Sequence, residues 1–315
     1  MLDCIKVKEP KKLYEPFEYI MTGGGKRLRP VLTVFSAGAV GNNPEDAIDP
    51  GIAIEILHNF TLAHDDIMDE SPTRRGKETI HKKWDKPTAI LVGDMMVGFA
   101  YNLLPRARQH KRADEIHTAF TNGLIEVCEG QAYDMQFNQR TDVTFEEYFN
   151  MISLKTAKLI ETSAVIGAHV GLGSDDEVEK LRNYAKSLGI AFQLQDDLLD
   201  ISSTEAEFGK SIGQDIIEGK KTYLILKTMQ KLAASSDDYY EYKKIINRFY
   251  LNDGLDRESI PIMQRIFKEL GIYEDIAVEI ESQISRSIQS LSGLKQNTYT
   301  DALRWLVENL KNRKF

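Results

Sequence analysis

Residues 53–69 read AIEILHNFTLAHDDIMD, an apolar run closing on three aspartates, and residues 188–200 repeat the device as LGIAFQLQDDLLD. In both, apolar positions recur at intervals of three and four, the period of an α-helix with one buried face. On a helix, positions i, i+1 and i+4 share a face, so Asp65, Asp66 and Asp69 make one carboxylate cluster and Asp196, Asp197 and Asp200 a second. A single Asp-Asp-x-x-Asp is ordinarily a solvated acidic face. Two copies, each directly after an apolar helical stretch, put carboxylates where burial is costly unless they are paired or metal-bound. Hard oxygen ligands with room left for water and phosphate favour Mg²⁺. Two such sites facing each other would bind a diphosphate between metals.

Outward from these two segments the same periodicity continues. It predicts helices near 31–40, 51–70, 87–104, 112–137, 145–170, 177–201, 221–233, 239–250, 258–270, 273–291 and 299–312, while sustained period-two alternation is absent. The fold class is therefore all-α. Breakers fall where helices should stop: the Gly23–Gly25 triplet, Gly41 to Pro44, Ser71-Pro72, Gly171 to Gly173, Asn252 to Gly254, and Ser292-Gly293. Thr144 with Glu147 three residues on forms a capping box before FEEYFNMI. No Pro-, Gly- or Ser-rich linker divides the chain, and two aspartate helices serving one site require a single domain over residues 1–315.

Composition narrows the functional classes. With 315 residues and 42% hydrophobic content the chain can bury a large core. A net charge of −8 argues against a nucleic-acid partner, so positive charge for an anionic substrate must be local. Cys4 and Cys128 are too few for a disulfide framework or structural zinc site and fit a reducing cytoplasm. The N-terminus has no apolar signal core and no run of about 18 apolar residues occurs, so neither export nor membrane spanning is expected.

The cations are clustered. GGGKRLRP sets Lys26 and Arg29 one turn apart where a glycine loop enters a helix, a place suited to an anion. His58 precedes Asp65 by seven residues and projects from the same helix face. SPTRRG then supplies adjacent Arg74 and Arg75, whose guanidinium forks on irregular backbone can reach two different anions, as two phosphorylated substrates require. After QDDLLD, residues 201–223 are polar and glycine-broken, with Gly209-Lys210 and Gly219-Lys220, and read as a mobile lid carrying lysines.

In this order and spacing, GGGKRLRP, HNFTLAHDDIMDESPTRRG, LKTAKL, FQLQDDLLD and GK…EGKKTY strongly resemble the trans-isoprenyl diphosphate synthases, or polyprenyl synthetases, of the short-chain, geranylgeranyl or farnesyl type. The resemblance is dense over residues 20–225 and rests on helical character beyond them. It implies an isoprenoid synthase fold of about a dozen helices around a central cavity, a homodimer, and three Mg²⁺ ions per site. The implied reaction is head-to-tail 1'-4 condensation of isopentenyl diphosphate with dimethylallyl, geranyl or farnesyl diphosphate by ionisation, condensation and elimination. By resemblance, Asp65 and Asp69 hold two ions and Asp196 the third, supported by Asp66, Asp197 and Asp200. Arg74, Lys155, Lys210 and Lys220 hold the allylic diphosphate, and Lys26, Arg29, His58 and Arg75 hold isopentenyl diphosphate. Thr156 and Gln193 set oxygen dipoles near the allylic cation, and the departing diphosphate can take the final proton. Two departures stand out: Leu224 replaces the usual proline after Thr-Tyr, and the glycine pair before Lys26 is a triplet.

Product length has one handle. Phe60 lies five residues before Asp65, about 7–8 Å lower on the helix, where its ring would floor the cavity beneath a growing tail. With small Thr61 and no insertion in the first motif, this predicts geranylgeranyl diphosphate (C20), with farnesyl (C15) next and longer polyprenyl products after it; Phe99 or Met96 are alternative floors. A class I terpene cyclase would carry a different second metal motif and no isopentenyl site. A non-catalytic subunit of a heteromeric synthase would have lost an aspartate motif or the basic residues, and here all are present.

Overall fold

The computed structural model describes residues 8–41, 43–105, 109–202, 212–234 and 239–310. Cys4 and Lys210, and with Lys210 residues 203–211 of the expected lid, lie outside them. The described chain is helical almost throughout, because long amphipathic stretches are interrupted only by short breakers. In order, α1 (Lys11–Met21), α2 (Leu28–Ala39), α3 (Ile48–Met68), α4 (Ile80–Lys83), α5 (Lys86–Asn102), α6 (Ala113–Asn138), α7 (Phe145–Ile152), α8 (Lys158–Val170) and α9 (Asp175–Ser202) follow one another. The series continues with α10 (Gln214–Ile217), α11 (Tyr223–Ala234), α12 (Tyr240–Leu251), α13 (Ile260–Glu269), α14 (Ile272–Ser290) and α15 (Thr298–Leu310). No described helix is long and apolar enough to cross a membrane.

Three local features depart from the periodicity. The Arg74–Arg75 segment is a small antiparallel hairpin, β1 (Thr73–Arg74) with β2 (Lys77–Glu78), pairing Arg74 with Lys77. Arg75 and Gly76 at its tip have φ of 53° and 73°, the positive pair that a two-residue primed turn requires. A single helix over 145–170 is instead interrupted: α7 and α8 are joined by a π-helical turn, Ser153–Ala157, which holds Lys155 and Thr156. Helix α1, the short helix expected before the glycine loop, carries Pro16 in its interior, where the missing N–H interrupts the helical hydrogen bonding.

The contacts divide the chain into two compact units, each gathered from separate stretches. One comprises the chain through Leu124, Thr162–Arg182 and Gly293–Leu303; the other comprises Ile125–Glu161, Asn183–Ser292 and the chain from Arg304. In the first, α3 packs on α2 and α5, with Ile54, Leu57, Val92 and Met96 fully buried. Phe17 of α1 meets Phe99 of α5 at 5.2 Å between ring centroids. In the second, Tyr148, Tyr184, Phe249 and Phe267 dominate the core. There the π-helical turn runs so close to α6 that a Cβ on Gly130 would lie 2.3 Å from the backbone nitrogen of Lys155, so only glycine fits. The capping box forms as expected: Thr144 N–H donates to Glu147 Oε2 at 2.9 Å and Glu147 N–H to Thr144 Oγ1 at 3.2 Å.

Candidate active site

In the first unit, cationic side chains gather around His58. Arg27, Arg29, Arg74 and Arg75 all lie close enough to His58 to disfavour its protonated form. Burial of the ring is the larger cause, and together they hold its pKa well below the usual histidine value. Of the carboxylates on α3, Asp69 is exposed, Asp65 half-buried and Asp66 buried. Asp66 Oδ1 accepts from Arg74 Nε at 2.7 Å. Arg75 points elsewhere and donates to the carbonyl of Gly24 at 2.6 Å. The hairpin thus sends its two guanidinium groups to different partners, one to an aspartate of the motif and one to the glycine loop. Lys26 is exposed at that loop and Arg29 half-buried.

The histidine shift has a measurable consequence. An unfolded imidazole titrates near ~6.5, and the folded one lower. As pH falls below the unfolded value the unfolded chain binds the extra proton first, so stability is lost from there towards the folded pKa and is constant above it. We expect the melting temperature to drop between pH 7 and 5 and His58→Asn to shrink that drop. An identical pH slope in the variant would assign the effect to other histidines.

In the second unit an open cleft is lined by Lys155, Thr156, Gln193, Asp197 and Lys220 from the sequence motifs, with Asp134, Tyr148 and Asp215 among the other side chains. Thr156 Oγ1–H donates to Gln193 Oε1 at 2.7 Å, and the Gln193 amide donates to Asp197 Oδ1 at 2.8 Å. Tyr148 O–H donates to the other Asp197 oxygen at 2.6 Å. Lys155 Nζ meets Asp134 Oδ2 at 2.5 Å, and Lys220 Nζ meets Glu218 at 3.1 Å. Burial, then the neighbouring Asp215 carboxylate, push Asp197 up to about 8 against the opposing hydrogen bonds from Tyr148 and Gln193. Asp215 is itself raised by burial. Asp196 is half-buried. Asp200 is buried and accepts the backbone N–H groups of Gln214 and Asp215, both at 3.2 Å, so it caps α10.

Asp134, Tyr148 and Asp215 had no motif to mark them. Asp215 had a partial signal, standing five residues before Lys220 in the glycine-broken segment. Asp134 and Tyr148 are brought in only by how α6 and α7 pack.

Among the described residues no group of three or more histidine, cysteine or carboxylate side chains is arranged to hold a metal unaided. The donors still suit a hard cation. Asp197 is a buried acid whose ionisation the Asp215 carboxylate beside it disfavours, a conflict that a divalent cation completed by water and phosphate oxygens relieves.

The polyprenyl synthetase family model matches residues 10–254. The chain belongs to this family. It is an isoprenyl diphosphate synthase, a trans-prenyltransferase that condenses isopentenyl diphosphate with allylic diphosphates. It is 39% identical over 310 residues to a geranylgeranyl diphosphate synthase of Sulfolobus acidocaldarius, covering 96% of this chain and 92% of that one. A crystal structure of a geranylgeranyl pyrophosphate synthase superposes with a TM-score of 0.89 at 37% identity, covering 100% of this chain and 95% of that one. A polyprenyl synthase from Caulobacter crescentus, solved with calcium and isoprenyl diphosphate, gives 0.87 at 25% identity over 99% of this chain and 92% of that one. The all-α expectation is thereby met.

Proposed function

We propose that this synthase makes geranylgeranyl diphosphate as a Mg²⁺-dependent homodimer, with residues 1–315 acting as one catalytic domain. The observation that carries the site assignment is the cleft in which Thr156, Gln193 and Asp197 form one hydrogen-bonded series beside Lys155 and Lys220. A carboxylate for a cation, lysines for a diphosphate and uncharged oxygens for a carbocation are the three donor types that ionisation of an allylic diphosphate needs. When bound, Mg²⁺ would neutralise the leaving diphosphate as the C–O bond breaks. Asp65, Asp69 and Asp196 would hold it, with Asp66, Asp197 and Asp200 in support. Asp66 orients Arg74 towards the allylic diphosphate, and Lys155, Lys210 and Lys220 complete that grip. Lys26, Arg29, His58 and Arg75 hold isopentenyl diphosphate. The neutral state favoured for His58 lets it donate one proton while leaving the anion's charge to the arginines. The calcium and isoprenyl diphosphate bound by the Caulobacter relative support a divalent cation here.

The C20 product is supported by the archaeal relative and by Phe60, half-buried and set edge-on to His64 at 4.7 Å. Met96 is fully buried, and Phe99 is engaged in packing on Tyr14 and Phe17 of α1. Exposed Ile90 and Leu91 on α5 are apolar surface suited to a second copy. Incubation with isopentenyl diphosphate, each allylic diphosphate and Mg²⁺, followed by chromatography of dephosphorylated products, tests the reading. A C15 product would move the assignment to a farnesyl diphosphate synthase. Mg²⁺ with inorganic diphosphate should also raise the melting temperature by linkage, since the ligands bind only the folded chain. An unchanged midpoint at saturating ligand counts against the metal assignment.

A further inference from the structure

Arg27 stands between two residues assigned to a diphosphate, Lys26 and Arg29, yet its guanidinium is turned into the protein. It caps α2 in the left-handed region, with φ 50° and ψ 38°, a conformation uncommon for a residue with a side chain. One nitrogen pairs with the carboxylate of Glu55, whose side chain is only 3% exposed. The other donates to the carbonyl of Met21, the last residue of α1, at 2.6 Å. Glu55 lies on α3 three residues before His58, and its Oε1 also accepts from the fully buried Asn59 amide at 3.2 Å. Arg75 also holds the Gly24 carbonyl and lies so close that a Cβ on Gly25 would sit 2.7 Å from its Nη1. The glycine loop is therefore tied both to a buried carboxylate on α3 and to the hairpin tip. A carboxylate that deep needs a cation, and a planar guanidinium meets it and a backbone carbonyl through two separate nitrogens held in fixed geometry.

We propose that Arg27 and Glu55 are positioning residues for isopentenyl diphosphate. Their ion pair fixes the loop backbone so that Lys26 and Arg29 present their charges to the anion, and Arg27 itself gives no bond to substrate. This rests on the assignment of Lys26, Arg29 and His58 to that substrate.

Steady-state kinetics with each substrate varied in turn, on Glu55→Gln, Arg27→Lys, the double variant and Arg29→Ala, test it. Glu55→Gln should raise KM for isopentenyl diphosphate about tenfold, with kcat and the allylic KM within about twofold. Arg27→Lys keeps the charge but loses the fork and should do the same. The double variant should be no worse than the poorer single one, because both act through one contact. Circular dichroism checks folding, and if Glu55→Gln does not fold, the Arg27→Lys split between the two KM values decides. An unchanged isopentenyl KM in folded Glu55→Gln overturns the proposal. So does an effect of Arg27→Lys alone, which makes Arg27 a direct donor, and so does an equal rise in both KM values, the mark of general loosening. If Arg29→Ala leaves the isopentenyl KM unchanged, the substrate assignment fails independently of what Glu55 does.

Discussion

Asp65→Ala is expected to lower kcat about a thousandfold while leaving the melting temperature of the ligand-free protein close to that of the parent chain. The loss corresponds to ~4 kcal/mol of transition-state stabilisation, the scale for removing one charge-stabilising group where a leaving anion forms. Asp65 is half-buried on the last turns of α3, so its carboxylate contributes little to packing. Asp66→Ala should behave differently. That side chain is buried and holds Arg74 at 2.7 Å. Its removal should lower stability by ~1–3 kcal/mol, below the value for a fully buried pair because Arg74 is 30% exposed, and should raise the allylic KM. Kinetics and thermal melting of both variants separate the roles. Matching profiles for the two would show that the metal and positioning functions are not divided between neighbours in this way.

The contrast between those neighbours marks what sequence alone reveals. The periodicity of α3, α5 and α9 is visible because a buried helical face demands apolar residues at intervals of three and four. The aspartate clusters are visible because their spacing matches one helix face. Glu55 is not, since a glutamate inside AIEILHN reads as a solvated break and only the fold brings Arg27 to it. Asp134 is equally silent until α6 packs it against Lys155. The hairpin carrying Arg74 and Arg75 had a turn signal in Arg75-Gly76, but two-residue strands are too short to produce alternation. The second lysine of the proposed lid, Lys220, is fixed beside Glu218, and α10 is tied back by Asp200, an arrangement that no local pattern encodes.

Phe60→Ala should lengthen the product beyond C20 by at least one five-carbon unit. The ring is half-buried and braced by His64, whose Nε2 reaches the carbonyl of Ile90 at 3.4 Å. Truncation would open room for an isoprene unit if, as proposed, the growing tail runs along α3. A fully buried phenylalanine replaced by alanine costs ~3–5 kcal/mol; partial exposure of Phe60 should bring this to about half. The variant should therefore remain folded and active, with its melting temperature only modestly lowered. Chromatography of dephosphorylated products from both proteins reads the outcome directly. An active, folded variant with an unshifted product distribution removes Phe60 as the floor and leaves its contact with His64 as ordinary packing.

The π-helical turn at Ser153–Ala157 restricts which lengths of chain this enzyme can tolerate. Such a turn holds one more residue than an α-turn, so deleting any one of the five would let α7 run straight into α8. The flanking helices would keep their phase, since one α-turn replaces one wider turn, but the backbone that carries Lys155 and Thr156 would be narrowed and one residue shorter. Lys155 and Thr156, which stand within the turn, would be drawn off Asp134 and Gln193. Surface loops absorb insertions and deletions readily. This segment cannot, although it lies inside an apparently ordinary helix, and a natural or engineered one-residue gap here should abolish catalysis while sparing helical content.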